Sequence, residues 1–179
     1  MAATKKYLVV TAIGKDRAGL MSELSEAVVD TGCGITDSRM TVLGTEFALI
    51  MMLAGTWNAI AKLEAMVPSL QKKLGLTMTT QRTEERPVRE KRVPYLVDIV
   101  ALDRPGVVHD VARFFDERQI DIDDMSTWTY AAANTGAPMF SVSMSVSIPS
   151  ELHIGRLRDE FTDFCDELNL DATLEPARR

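Results

Sequence analysis

The chain has 179 residues, 46% of them hydrophobic and 26% charged, with a net charge of −6. That balance suits one large folded domain or two small ones, and its acidity argues against direct DNA binding, which calls for a basic face. No stretch reaches the ~18 consecutive apolar residues of a membrane span, and the start, MAATKKYLVV, lacks the longer apolar run of a secretory leader. The expected setting is the cytoplasm, with Cys33 and Cys165 as reduced thiols.

Tyr7 to Ile13 is apolar and β-branched, the pattern of a strand. Leu20, Leu24, Ala27 and Val28 then recur at helical spacing, and the glycines of DTGCG stop the helix. Ile35 to Leu43 reads as a second strand, Gly44 opens a turn, and EFALIMMLAG reads as a third strand. Thr56 is placed to cap a helix carrying Ile60, Leu63, Val67, Leu70 and Leu74, which Pro68 is expected to break or kink. Gly75 ends it, and LTMTTQR is a short last strand. The segment TEERPVREKRVP is charged, bears proline and reads as a linker.

The order then repeats. YLVVTAIGKDRAGL from Tyr7 aligns with YLVDIVALDRPGVV from Tyr95, with one residue fewer before the Asp. Asp16 falls on Asp103, Arg17 on Arg104, Gly19 on Gly106 and, further on, Ile35 on Ile122. Val107, Val111, Phe114 and Phe115 mark the second half's first helix, with Pro105 suited to its first turn. IDIDDMSTWTY and PMFSVSMSVSI read as strands, Leu157, Phe161, Phe164, Cys165 and Leu168 as a helix, and LDATLE as the closing strand. Each half is therefore βαββαβ. The predicted class is α+β, two ferredoxin-like modules with antiparallel sheets and both helices on one face. The expected division is a first module over 1–82, a linker over 83–93 and a second module over 94–179.

The repeated Asp-Arg-x-Gly turn stands before a helix in both halves. A helix N-terminus presents unpaired N–H groups and partial positive charge, a fitting seat for a carboxylate. The glycine permits positive φ or close approach of a ligand, and the Asp can cap the helix or receive an ammonium group. These are the donors and acceptors an α-amino acid needs. The same residues also serve simply to shape a strand-to-helix turn.

The strand, the Asp-Arg-x-Gly-(Leu/Val) turn, the helix and then GCGITDSRM together resemble the ACT domain. Two such modules filling the chain, with DSRMTVLGTEFALIMMLAGTWNAI as the most specific stretch, resemble the glycine cleavage system transcriptional repressor family. The resemblance implies amino-acid binding where the first loop meets the start of the second strand, at an interface between modules. Carried over, the ligand positions are Asp16, Arg17, Gly19 and Leu20 with Gly34 and Ile35, and Asp103, Arg104, Gly106 and Val107 with Asp121 and Ile122. The family often places Asn just before the apolar residue that opens the second strand. Here that place holds Gly34, which has no side chain to offer, and Asp121, which when ionised can only accept.

Other constellations are weaker. His109 and His153 fall early in two helices and read as surface histidines. Asp121 and Asp123 should share one strand face and Asp124 the other, as solvated carboxylates in preference to metal ligands. No nucleophile setting, metal spacing or nucleotide-binding glycine pattern is present, so neither an enzyme nor a cofactor is expected. The expected function is amino-acid-responsive transcriptional regulation through a protein partner, with glycine the first ligand to test, no direct nucleic-acid or membrane contact, and a possible homodimer. The alternative is a regulatory subunit of a metabolic enzyme.

Overall fold

The computed structural model describes residues 5–85 and 91–177. The core of the expected linker, residues 86–90, lies outside the described residues, as do residues 1–4 and 178–179. The chain divides into two compact units, Met1–Pro87 and Val88–Arg179. In the first, strands β1 (Lys6–Lys15), β2 (Gly34–Leu43), β3 (Glu46–Gly55) and β4 (Leu76–Thr83) form an antiparallel sheet in the order β2-β3-β1-β4, with helices α1 (Leu20–Thr31) and α2 (Trp57–Leu74). In the second, β5 (Arg92–Leu102), β6 (Asp121–Ala131), β7 (Pro138–Pro149) and β8 (Asp171–Pro176) are ordered β6-β7-β5-β8, with α3 (Val107–Asp116) and α4 (Ile154–Leu168). Both units are βαββαβ modules with the α+β architecture expected from the repeat.

Alternation fixes which sheet face is packed. Leu8, Val10 and Ala12 of β1 are buried and point to the helices, as do Phe47, Leu49, Met51 and Leu53 of β3. Leu20, Leu24 and Val28 of α1, and Ile60, Leu63 and Leu74 of α2, close over them. The second unit builds the same layer with aromatics. Phe115 is fully buried and meets Phe114 edge-on at 5.3 Å and Phe161 at 5.6 Å. Thr56 caps α2 by accepting from the Ala59 N–H at 3.2 Å, and Gly75 ends it in the left-handed region at φ 69°.

Pro68 does not break α2, which runs unbroken from Trp57 to Leu74. Proline costs a helix interior about 3 kcal/mol, yet Val67, Leu70 and Leu74 around it are buried, each contributing about 1.5–3 kcal/mol. Packing of the stripe outweighs the lost hydrogen bond, and the exposed ring of Pro68 faces water. Pro68→Ala is expected to restore the bond to the Glu64 carbonyl and stabilise the first unit by about 2 kcal/mol, after about 0.4–1 kcal/mol of unfolded-chain entropy is deducted. A urea melt compared with the parent chain checks this.

Pro105 also departs from expectation. α3 begins at Val107 with Gly106 as its N-cap, so Pro105 lies in the turn before the helix. The larger correction concerns the second strands. In β2 the register shifts between Ile35 and Asp37, and in β6 between Ile122 and Asp124. Thr36 and Asp123 are thus extra residues, β-bulges at equivalent places in the repeat. Asp121 stands opposite Ser147 and Asp124 opposite Ser145, so these two carboxylates share a face that strict alternation would have denied them. Ser147 donates a hydrogen bond to the bulged Asp123. Thr36 uses its hydroxyl likewise, donating to the Met52 carbonyl at 2.9 Å.

Candidate functional site

Both Asp-Arg-x-Gly turns fold in the same way. The Asp16 N–H donates to the Thr45 carbonyl and the Asp103 N–H to the Pro138 carbonyl, each at 2.9 Å, which pins the end of β1 or β5 to the start of the neighbouring strand. Gly19 and Gly106 then take φ 88° and 96°, the left-handed region that a side chain strongly disfavours. These glycines are themselves the N-caps, and neither helix has a side-chain cap. The expectation that the Asp would cap is not met, because the cap position falls three residues after it. The opening N–H groups of α1 and α3 are left without a side-chain acceptor at an exposed turn, an arrangement suited to a carboxylate.

The arginines have partners. Arg17 Nη1 donates to Glu23 Oε1 at 2.6 Å and to the Ala18 carbonyl at 3.2 Å. Arg104 donates through both terminal nitrogens to Asp110 Oδ2 at 3.3 Å and to the Pro105 carbonyl at 3.4 Å. Each guanidinium therefore bridges the glycine turn to the first turn of its helix. A Cβ on Gly19 would lie 3.7 Å from Glu23 Oε1 and 4.0 Å from Arg17 Nη1, and one on Gly106 would lie 3.9 Å from both Arg104 Nη1 and Asp110 Oδ2. Sequence reasoning missed these clamps. The signal was an acidic residue six places after the arginine in both halves.

The Arg17 hydrogen bond holds the Glu23 carboxyl below the ordinary glutamate value, against a smaller opposing effect of desolvation. A lowered folded-state value stabilises the fold above the unfolded pKa, and that contribution is lost as pH falls through the folded one. Glu23 is expected to titrate below an unfolded-chain glutamate, and Arg17→Ala to return it towards the ordinary value. Carboxyl chemical shifts followed through an acid titration check this.

The remaining candidate residues divide by position. Leu20 and Val107 are core residues, each 1% exposed, so towards a ligand they can offer only backbone N–H. Gly34 lies opposite Ala54, and Ala54 opposite Tyr7. It is thus level with the start of β1, whereas Asp16 follows the end of β1. Asp121 is likewise level with Pro94 at the start of β5, whereas Asp103 follows its end. Eight strand residues separate these levels, roughly 25 Å. A single module does not bring its own turn and its own second-strand start together.

Asp121 is paired with Arg92 at 2.8 Å, and with Ile122 it lines a concavity of about 490 Å³ beside His109, Arg113 and Asp116. A second concavity of about 440 Å³ lies in the first unit, between Trp57, Arg82 and Tyr7. The Asp-Arg-x-Gly residues line neither. His153 is the N-cap of α4, its Nδ1 accepting from the Arg156 N–H at 3.2 Å, a role the sequence reading did not assign. Among the described residues no group of three His, Cys, Asp or Glu side chains is placed to hold a metal ion, and no helix is long and apolar enough to cross a membrane.

Two βαββαβ modules, each opening its first helix on a left-handed glycine, define a tandem ACT-type protein, and the ACT domain pattern matches residues 6–81. The chain is 30% identical to the glycine cleavage system transcriptional repressors of Escherichia coli K12 and Shigella flexneri, over 96% of this chain and 90% of theirs. It belongs to the glycine cleavage system transcriptional repressor family. A solved structure carrying the name of the same repressor is 27% identical with a TM-score of 0.75, covering 98% of this chain and 99% of that one. A structure of an unknown protein from Galdieria sulphuraria shares the fold at TM-score 0.78, with 23% identity over 98% of this chain and 100% of that chain.

Proposed function

We propose that this protein is an amino-acid-responsive regulator of transcription that acts in the cytoplasm through a protein partner and catalyses nothing. The observation that carries the reading is the twin turn, two exposed helix N-termini without side-chain caps, each opened by a left-handed glycine. Family membership supplies the regulatory role. Glycine is the first ligand to test, because the relatives' name refers to its cleavage system. A ligand that touches both an Asp-Arg-x-Gly turn and a second-strand start needs residues from two modules, since one module holds them at opposite ends. Asp16, Arg17, Gly19, Asp103, Arg104 and Gly106 would serve the carboxylate side, and Gly34, Ile35, Asp121 and Ile122 the other.

Calorimetric titration of the full chain with each of the twenty amino acids tests the reading. Binding of a small amino acid is expected, with about 2.7 kcal/mol of added stability at one hundred times Kd. Flat titrations at millimolar concentration for all twenty would overturn it. Ligand and partner should also be coupled, at a typical 1–3 kcal/mol, with amino acid weakening the partner complex. Recovery of a DNA-binding protein by co-purification supports the transcriptional role, and recovery of a metabolic enzyme alone replaces it with control of that enzyme.

A further inference from the structure

We propose that the outer face of the first sheet, turned away from α1 and α2, is the contact surface between two copies of this chain. The two units supply the comparison, because they share a topology but differ in this surface. On β3 the outward residues are Ala48, Ile50, Met52 and Ala54. On β7, which holds the same place in its sheet, they are Ser141, Ser143, Ser145 and Ser147. An antiparallel sheet with helices on one side needs apolar residues on that side only, and its other side is ordinarily polar. The middle of the second sheet keeps to this pattern and the first departs from it. Ile50 is 49% exposed, and Ile13 on the adjacent strand is 53% exposed.

Charge selects the occupant. The outward residues of β1 and β3 between the Lys15–Glu46 pair and the far end of the sheet are uncharged, and so are those of β4. The charges lie at the rim as opposite pairs, Lys15 opposite Glu46, and Arg39 held by Asp37 at 2.6 Å. Balanced rims around an apolar centre suit a surface that meets its own image across a two-fold axis. The first unit carries ten Lys and Arg against nine Asp and Glu, a net of +1, whereas the second carries ten against seventeen, a net of −7. Repulsion between copies is therefore least at the first unit. Four strands about 4.8 Å apart and about eight residues long give a footprint of about 500 Å² per copy. The pair would bury about 1,000 Å², the level a specific interface clears.

Sedimentation equilibrium of the full chain tests this. The expected mass at high micromolar concentration is twice the 19.8 kDa of one chain. Ile50→Asp and, independently, Ile13→Lys should each weaken the dimer about tenfold or more by placing an unpaired charge at its centre. Leu96→Asp, on the outer face of the second sheet, should leave it intact. Circular dichroism identifies a variant that fails to fold, and the other then decides. A monomeric parent chain, a dimer indifferent to the folded variants, or equal dissociation by Leu96→Asp would each overturn the proposal.

Discussion

Phe115→Ala should lower the stability of the second unit by about 3–5 kcal/mol. The ring is fully buried, and it contacts Phe114 and Phe161. Truncation removes its transfer free energy and leaves a cavity, and it also forfeits the aromatic pairs, worth about 0.5–1.5 kcal/mol each beyond area. A unit of this size holds only about 5–14 kcal/mol in all, so the loss takes a large share of it. Phe164→Ala is the contrast. That ring is only partly buried at the edge of the cluster, 4.8 Å from Phe114, and its removal should cost about 1–2 kcal/mol. Hydrogen exchange should show the amides of β5 and β7 losing protection in Phe115→Ala while those of Leu8, Val10 and Leu53 keep theirs, because the two cores share no residue. Equal loss in both cores would show that the units do not unfold separately.

Gly19→Val and Gly106→Val should each cost about 1–3 kcal/mol and abolish the amino-acid response of the turn they alter. Space is not the obstacle, since a Cβ at either place meets its neighbours at ordinary contact distance. The cost comes from φ near 90°, which a β-branched residue strongly resists. Relaxing that angle swings the start of the helix, and with it the N–H groups proposed to receive a carboxylate. Calorimetry on each variant, with circular dichroism to verify the fold, checks this. If both stay folded and bind as the parent does, the ligand seat lies away from these turns.

Much of the fold was legible in the sequence because alternation and helical spacing are direct records of burial. Leu8, Val10 and Ala12 mark a packed face, and Leu20, Leu24 and Val28 mark a stripe. The left-handed glycines were legible too, since a glycine between a strand and a helix is there for its φ. The bulges were not. Thr36 and Asp123 are polar residues in edge strands exposed along most of their length, where hydrophobicity says nothing about facing. Pro68 misled because local propensity names a cost without naming the packing that offsets it. The candidate site was legible in part. The turns follow from local chemistry, but that Asp16 and Gly34 sit at opposite ends of one sheet follows only from strand register, which a linear pattern does not carry.

The two bulges bear on how the molecule came to be. A residue inserted into a strand inverts every side chain beyond it unless the irregularity absorbs the shift, so its position is preserved by the penalty on losing it. Thr36 and Asp123 occupy the same step of the repeat although their chemistry differs. The shared irregularity is thus heritage from a single ancestral module that was copied, with the backbone kept and the surfaces left free to diverge. Deleting either residue would be the structural counterpart of a reading-frame slip. Met40 or Met125 would turn from one side of its sheet to the other, although only one neutral-looking polar residue had been removed.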